Sequence, residues 1–450
     1  MLKKNVWLLF LLVFMLFMAA CGNNDEEASS DTNTETTPAT TETTESDPPA
    51  EDPPADPIEI EFWTMQLSPT FDDYINGVIA DFEAQNPTVK VKWVDVPWGD
   101  MEKKILAAVA SKTAPDVANL NPQFASKLAE LDALVNMDEM VPADVRGQYF
   151  EGVWKSNTFN GKTFGVPWYL SSQVTMYNTK IFEEAGLDPN TPPATFAELF
   201  DASKTIKEQT GKYGFYPPLD GSHALETMVM MGVDLTDEGM TKATFNTPEG
   251  KEAFDFFVQL YQQELIPREV LTEGHQKAID MYQAGELAIL SSGPQFLNIV
   301  KENAPDILAA TKTAPIITGK TNKKNVAAMN LVVPKQSEHQ QAAVDFSLFM
   351  TNGENQVKFD KIVPILPSIE TALDDPFFNE LPADPTPIDE ARIVSASQLR
   401  DSEVLIPPMK NYEDLKTSMN EALQAAMLGE LTVDEALAQA EAKWNEILAQ

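Results

Sequence analysis

His223, His275 and His339 are the only imidazoles in this chain, and Cys21 is its only thiol. No His-Glu-x-x-His run and no Gly-x-Ser-x-Gly turn accompanies them, so zinc hydrolysis and serine acyl transfer have no sequence basis. A glycosidase needs only two carboxylates, and 69 acidic residues supply many without singling out a pair. A different set of groups stands out. Trp63 with Gln66, Trp98, and Asn121 with Gln123 each follow a strand pattern. Trp168, Tyr169 and Ser171 come just after Pro167, and Ser292, Gly293 and Gln295 stand in a turn after another strand. Rings set among amides and hydroxyls suit a ligand with apolar faces and many hydroxyls, held by binding and not by chemistry.

The elements that must position these groups follow from periodicity. Ile58 to Thr64 alternates apolar residues with acids and reads as a strand. Phe71, Tyr74, Ile75, Val78, Ile79 and Phe82 then recur at three and four, a helix that ends at Asn86-Pro87. Val89, Val91 and Trp93 form a second strand, Met101 to Val109 a second helix, and Ala114-Pro115-Asp116-Val117 opens a third strand. Strand and helix in alternation predict a parallel sheet with crossover helices, whose ligands bind beyond the carboxyl ends of the strands. A second region from about Phe164 mixes strands at 174–177, 287–290 and 327–333 with helices at 193–209, 249–264, 276–282 and 338–350. Residues 412–450 read as helical, and His223 as part of a loop. Trp93 and Trp444 read as core; Pro115 and Asp116 read as fixing a strand entry, and Tyr177 and Asn178 as packing.

The N-terminus carries a different message. Lys3 and Lys4 precede an uncharged apolar run from Val6 to Met18, a signal-peptide core too short to be a membrane span. Met18-Ala19-Ala20-Cys21-Gly22 resembles the lipobox of bacterial lipoproteins, with Met where Leu is usual, and makes Cys21 a lipidation site. From Asn23 to Pro57 there is no basic and no large apolar residue, so the stretch cannot bury enough surface to fold and reads as an extended acidic tether. The folded remainder, about 390 residues, is too long for one ordinary core and favours two lobes. With 32 basic against 69 acidic residues the formal charge is -37, which argues against nucleic acid as a partner.

Four segments carry a family resemblance. They are Ala114-Pro115-Asp116-Val117 with Asn119-Leu120-Asn121; Gly165-Val166-Pro167 with Met176-Tyr177-Asn178-Thr179-Lys180-Ile181-Phe182, Ala185-Gly186-Leu187-Asp188-Pro189 and Pro193-Ala194-Thr195-Phe196; Ala284-Gly285-Glu286-Leu287-Ala288-Ile289 with Ser292-Gly293-Pro294; and Ala342 to Met350 followed by Pro364 and Pro367. In this order, after the tether, the chain resembles the carbohydrate-type extracellular solute-binding proteins of ABC importers. The resemblance implies an α/β, two-lobed periplasmic-binding-protein-like fold of type II, each lobe a mixed sheet flanked by helices, with the ligand cleft between them. It also implies residues 1–20 as signal peptide, 21–57 as tether, 58–167 with 330–362 as the N-terminal lobe, and 168–329 with 363–450 as the C-terminal lobe. Hinges are expected near Pro167 to Ser172 and Ala328 to Leu331, with a third crossing near Ile362 to Leu366.

The implied function is an extracellular receptor that captures a sugar or oligosaccharide by hinge closure and delivers it to the permease subunits. No enzyme activity, cofactor or metal is implied; the expected partners are a carbohydrate, the permease and, through the lipid, the outer face of the cell membrane, with the receptor a monomer. Trp63, Gln66, Trp98, Asn121, Gln123, Trp168, Tyr169, Ser171, Ser292, Gly293 and Gln295 are the expected ligand residues, and a core role stays open for Trp63, Trp98 and Trp168. The family often has tryptophan where Gln295 stands, so Phe296 is the alternative platform there. Two other functions remain in view: the same fold binding a polyamine or other charged solute, and a secreted carbohydrate-active hydrolase.

Overall fold

Two sheets, each with its own shell of helices, organise the chain. The structure, a computed structural model, describes residues 57–219 and 222–450. The expected signal peptide, the lipidation site and nearly all of the tether fall outside the described residues. The strands that matter are β1 (Ile58–Met65), β2 (Val89–Val96), β3 (Val117–Leu120), β4 (Val166–Ser172), β5 (Val174–Asn178), β6 (Ile289–Ser292), β7 (Thr311–Ala314), β8 (Lys324–Val332), β9 (Leu366–Pro367) and β10 (Ser402–Glu403). The main helices are α1 (Asp72–Gln85), α2 (Trp98–Ser111), α3 (Pro122–Glu130), α4 (Phe196–Thr210), α5 (His223–Met230), α6 (Pro248–Gln262), α7 (His275–Gln283), α8 (Gln340–Met350), α9 (Gly353–Asp360), α10 (Pro387–Gln398), α11 (Tyr412–Leu428) and α12 (Val433–Leu448).

The first sheet has seven strands in the order β9-β4-β8-β3-β1-β2, with β10 added to β8. β1 is parallel to β2 and β3, as strand-helix alternation predicts. β8 runs antiparallel to both β3 and β4, which makes the sheet mixed. β1 starts with alternating burial, but Phe62, Trp63, Thr64 and Met65 are all buried, because helices cover both faces of the sheet there. On one face α1, α8 and α9 enclose Phe62, Phe82 and Phe346, whose rings meet edge to face at 5.2 and 5.1 Å. On the other, α2 and α3 bring Met101, Ile105, Ala125 and Leu128 against Leu120 and Val332.

The second sheet is three-stranded, β6-β5-β7, antiparallel throughout. Its core is larger and draws on α4 to α7 and, from the far end of the chain, α11 and α12. Local signals fix the ends of these helices: Thr195 and Glu198 form a reciprocal capping box on α4, and Gly211 takes the left-handed conformation after it. The C-terminal helical stretch breaks in two at Gly429, φ 74°, and restarts at a Thr432 and Glu435 capping box. His223 is the first residue of a helix and not part of a loop.

Residues 168–172 and 324–329, expected in the second lobe, continue the seven-stranded sheet as β4 and β8. Ile365, Ile369 and Ala372 pack in the first lobe's core. A smaller cluster, Leu170, Val326, Ala328, Leu366, Leu373, Phe378, Ala396 and Leu399, lies around these connecting strands.

Phe346 is fully buried between Phe62 and Phe82. Its replacement by Ala is expected to destabilise the protein by about 3 to 5 kcal/mol, read as a lowered midpoint in urea unfolding with an unchanged slope.

Candidate ligand-binding site

One group of candidate side chains lies beyond the carboxyl ends of β1, β2 and β3. Asp95 on β2 pins the turn after β1: its Oδ1 accepts from Thr64 Oγ1 at 2.6 Å and Leu67 N at 2.9 Å. Gln66, in the left-handed region at φ 53°, is thereby turned across the end of β2. There its Oε1 accepts from Trp98 N, at the start of α2, at 3.3 Å. Trp98 is 46% exposed, the one aromatic among the large hydrophobic side chains left open to solvent in the described residues. Asn121 caps α3, its Oδ1 accepting from Phe124 N at 2.8 Å, and half-buried Gln123 follows in the first turn.

Two expected platforms lie elsewhere. Trp63 is only 6% exposed; its indole N–H donates to Glu61 Oε1 at 2.6 Å, and the Lys104 ammonium sits 4.3 Å from its ring centre. Trp168 is wholly enclosed in the first lobe's core, near-parallel to Phe359 at 5.6 Å and against Tyr169 at 5.1 Å. Both readings as ring platforms are corrected to core. The reason is strand alternation inside a sheet covered on both faces, where neither side of the strand is open.

Tyr169 is half-buried on the next position of β4, and burial raises its phenol pKa. Ser171, two residues on, donates from Oγ to Gln295 Oε1 at 3.4 Å and so links β4 to the turn after β6. That turn holds the second group of candidate side chains. Ser292 ends β6 in register with Val174, and its Oγ meets His275 Nε2 at 3.0 Å. Gln295 folds back over Gly293, where a Cβ would stand 2.2 Å from its Oε1. The aromatic surface at this corner is half-buried Phe296, edge-on to His275 at 5.1 Å.

Three ionisable groups with partners on other elements escaped sequence reading. His275 opens α7 seventeen residues before Ser292, and the packing of α7 against β6 brings the two together. Glu226 on α5 is buried; burial raises its pKa, countered by hydrogen bonds from Ser222 and from Asn325 on β8, with the Tyr412 phenol close by. Glu130, at the end of α3, feels the charge of Lys410, which precedes α11 of the other lobe; burial raises the Glu130 pKa while Lys410 and Lys127 oppose that. No local motif marks any of these, since at least one partner of each lies on another element: Ser292 for His275, Asn325 for Glu226 and Lys410 for Glu130. Among the described residues no three of His, Cys, Asp and Glu gather as a metal site, and no helix is long and apolar enough to cross a membrane.

Two α/β lobes joined by paired strands make up the two-lobed fold of solute-binding proteins. The sequence agrees. Residues 68–357 match the family described as bacterial extracellular solute-binding protein, and the chain belongs to that family. A crystal structure of a periplasmic-binding protein assigned to oligosaccharides, from Synechococcus sp. MITs9220, is 37% identical, with TM-score 0.80, over 87% of this chain and 99% of that one. The arabinooligosaccharide-binding protein of Halalkalibacterium halodurans is 25% identical over 72% of this chain and 74% of its own length. The diacetylchitobiose binding protein of Streptomyces coelicolor is 24% identical over 86% and 89%.

The two tryptophans should behave oppositely. Trp168→Ala is expected to lower unfolding stability by about 3 to 5 kcal/mol, whereas Trp98→Ala should stay within about 0.5 kcal/mol of wild type in the same urea titration.

Proposed function

We propose that this chain is the extracellular receptor of an ABC importer and that it captures a neutral sugar or oligosaccharide between its lobes. What supports this reading is the make-up of two groups of side chains. Exposed Trp98 lies with Gln66, Asn121 and Gln123 beyond the carboxyl ends of β1 to β3, and Ser171 reaches the turn after β6 that holds Ser292, Gln295 and Phe296. Rings stack on the apolar faces of a sugar, and amides and hydroxyls exchange hydrogen bonds with its hydroxyls. The oligosaccharide-binding relatives support the same ligand class. Capture proceeds by closure about β4 and β8, and release to the permease follows when the lobes part. The protein supplies binding and hand-over, with no bond made or broken.

In this reading Cys21 carries the lipid, and the acidic tether holds a monomeric receptor at the outer face of the membrane, near its permease. A tethered receptor raises the local concentration at the permease and prevents loss by diffusion.

Thermal shift against arabino-, galacto- and malto-oligosaccharides, diacetylchitobiose, amino acids, polyamines and phosphates tests the ligand class. Stabilisation by a neutral saccharide is expected, and stabilisation by polyamines or phosphates alone would sink the proposal. With the stabilising saccharide, Trp98→Ala should weaken binding by about 1 to 3 kcal/mol, and chromatography of the incubated saccharide should show no turnover. Cys21→Ser should move the protein from the detergent phase to the aqueous phase in a partition assay.

A further inference from the structure

The chain passes between the two sheets with little slack. Gln173 alone separates β4 in the first sheet from β5 in the second, and residues 315–323 return from β7 to β8. Two buried glutamines hold these crossings, one from each lobe.

On the first lobe's side stands Gln356 of α9, 1% exposed. Its Nε2 donates to Ser368 Oγ at 2.9 Å, its Oε1 accepts from Ser368 N at 2.5 Å, and Ser368 Oγ donates to the Pro167 carbonyl at 2.7 Å. Ser368 directly follows β9, which pairs with β4 through Leu366 with Leu170 and Pro367 with Tyr169. On the second lobe's side stands Gln398, 3% exposed, the last residue of α10, a helix packed on β5 and β7. Its Nε2 donates to the Gln173 carbonyl at 2.6 Å and to Ser172 Oγ at 3.2 Å, and its Oε1 accepts from Ile316 N at 3.2 Å. One side chain therefore ties the outgoing crossing to the returning one. Ser395, on the same helix, adds a contact of its own, its Oγ sharing a hydrogen bond with Ser172 Oγ at 2.8 Å.

Both amides are hydrogen-bonded at both ends and shut away from water, so breaking either clamp leaves buried polar groups without partners. Between the clamps the ladder runs on, with Tyr169, Leu170 and Ser171 opposite Met329, Ala328 and Ala327. Paired strands vary widely in twist without unpairing, and the two alanines present small side chains against such a motion. The register shift between Met329 and Asn330 falls at the edge of this stretch, where it bends the strand.

We propose that Gln356 and Gln398 are the positioning residues of ligand capture: each locks its own lobe's end of the crossing strands, so that closure turns about Tyr169–Ser171 and 327–329 alone. A short pivot between two fixed ends returns the lobes to one relative orientation each time they close. A pivot lengthened by the loss of a clamp has more ways to turn. The proposal rests on the reading that the lobes close about β4 and β8.

The test uses the full-length protein. Hydrogen exchange resolved to single amides, without ligand, is expected to find Ser368 and Ile316 protected although neither lies within a strand, because each N–H is held by a clamp oxygen. Gln398→Met should raise exchange at Ile316 by about tenfold and leave Ser368 unchanged, and Gln356→Met should do the reverse. Spin labels at exposed positions, Lys103→Cys on α2 and Lys204→Cys on α4 in a Cys21→Ser background, then report the distance between the lobes. An arabino-, galacto- or malto-oligosaccharide should shorten that distance while both glutamines are in place. In each clamp variant the saccharide-bound distribution should broaden, whereas Ser397→Ala, an exposed position on α10, should keep the original width. Fast exchange of Ile316 or Ser368 in wild type would overturn the proposal even where a variant folds poorly. So would exchange that rises at both amides with either substitution, or widths that stay fixed in the clamp variants or grow equally in Ser397→Ala. A distance that none of these saccharides shortens would overturn the closure reading, and the proposal with it.

Discussion

The antiparallel pairing of Val166–Ser172 with Lys324–Val332 joins two stretches about 150 residues apart in sequence and holds the two lobes to a common set of strands. A sheet ladder resists shear but tolerates twist, so strands that run from one lobe into the next can act as a pivot without losing their hydrogen bonds. The register shifts between Met329 and Asn330, where Trp168 of the partner strand is passed over. Such an irregularity bends a strand and increases its local twist. The buried amides gather at the same place: Asn119 Nδ2 donates to the Asn330 carbonyl at 3.3 Å and Asn157 Nδ2 to Asn330 Oδ1 at 2.7 Å. Gly165 fits beside them because a Cβ there would come within 3.1 Å of Asn330 Cβ.

The same connection is braced from the other lobe. Ser172 Oγ shares a hydrogen bond with Ser395 Oγ at 2.8 Å, and Gln398 Nε2 reaches the Gln173 carbonyl at 2.6 Å, so α10 holds the point where β4 passes into β5. These contacts are buried and neutral. Stability elsewhere rests on apolar burial, since the ion pairs lie mostly at the surface, where each contributes about 0 to 1 kcal/mol. The strongly acidic composition therefore bears on solubility and on the choice of partners, and little on the fold.

Periodicity and turn chemistry made the elements legible. Alternation gave β1 and β2, the three-and-four spacing of Tyr74 to Phe82 gave α1, and the order of strands and helices gave a parallel core. The placement of Asn121 and Gln66 just beyond strand ends was legible for the same reason, because groups there fall at the edge of a sheet. Burial of individual rings was not legible. Trp63, Trp98 and Trp168 look alike in sequence, yet one is sealed by Glu61 and Lys104, one stands open, and one is stacked on Phe359. What covers a ring comes from elements far along the chain.

By itself the sequence determined the α/β character, the membership signals and the residue types available at strand ends, because these depend on local spacing and side-chain chemistry. Only the tertiary structure decided which rings face solvent, that His275 meets Ser292 and that Lys410 acts on Glu130. Each of these joins residues on different elements. Their proximity is set by how whole helices pack on a mixed sheet, which no short window of sequence encodes.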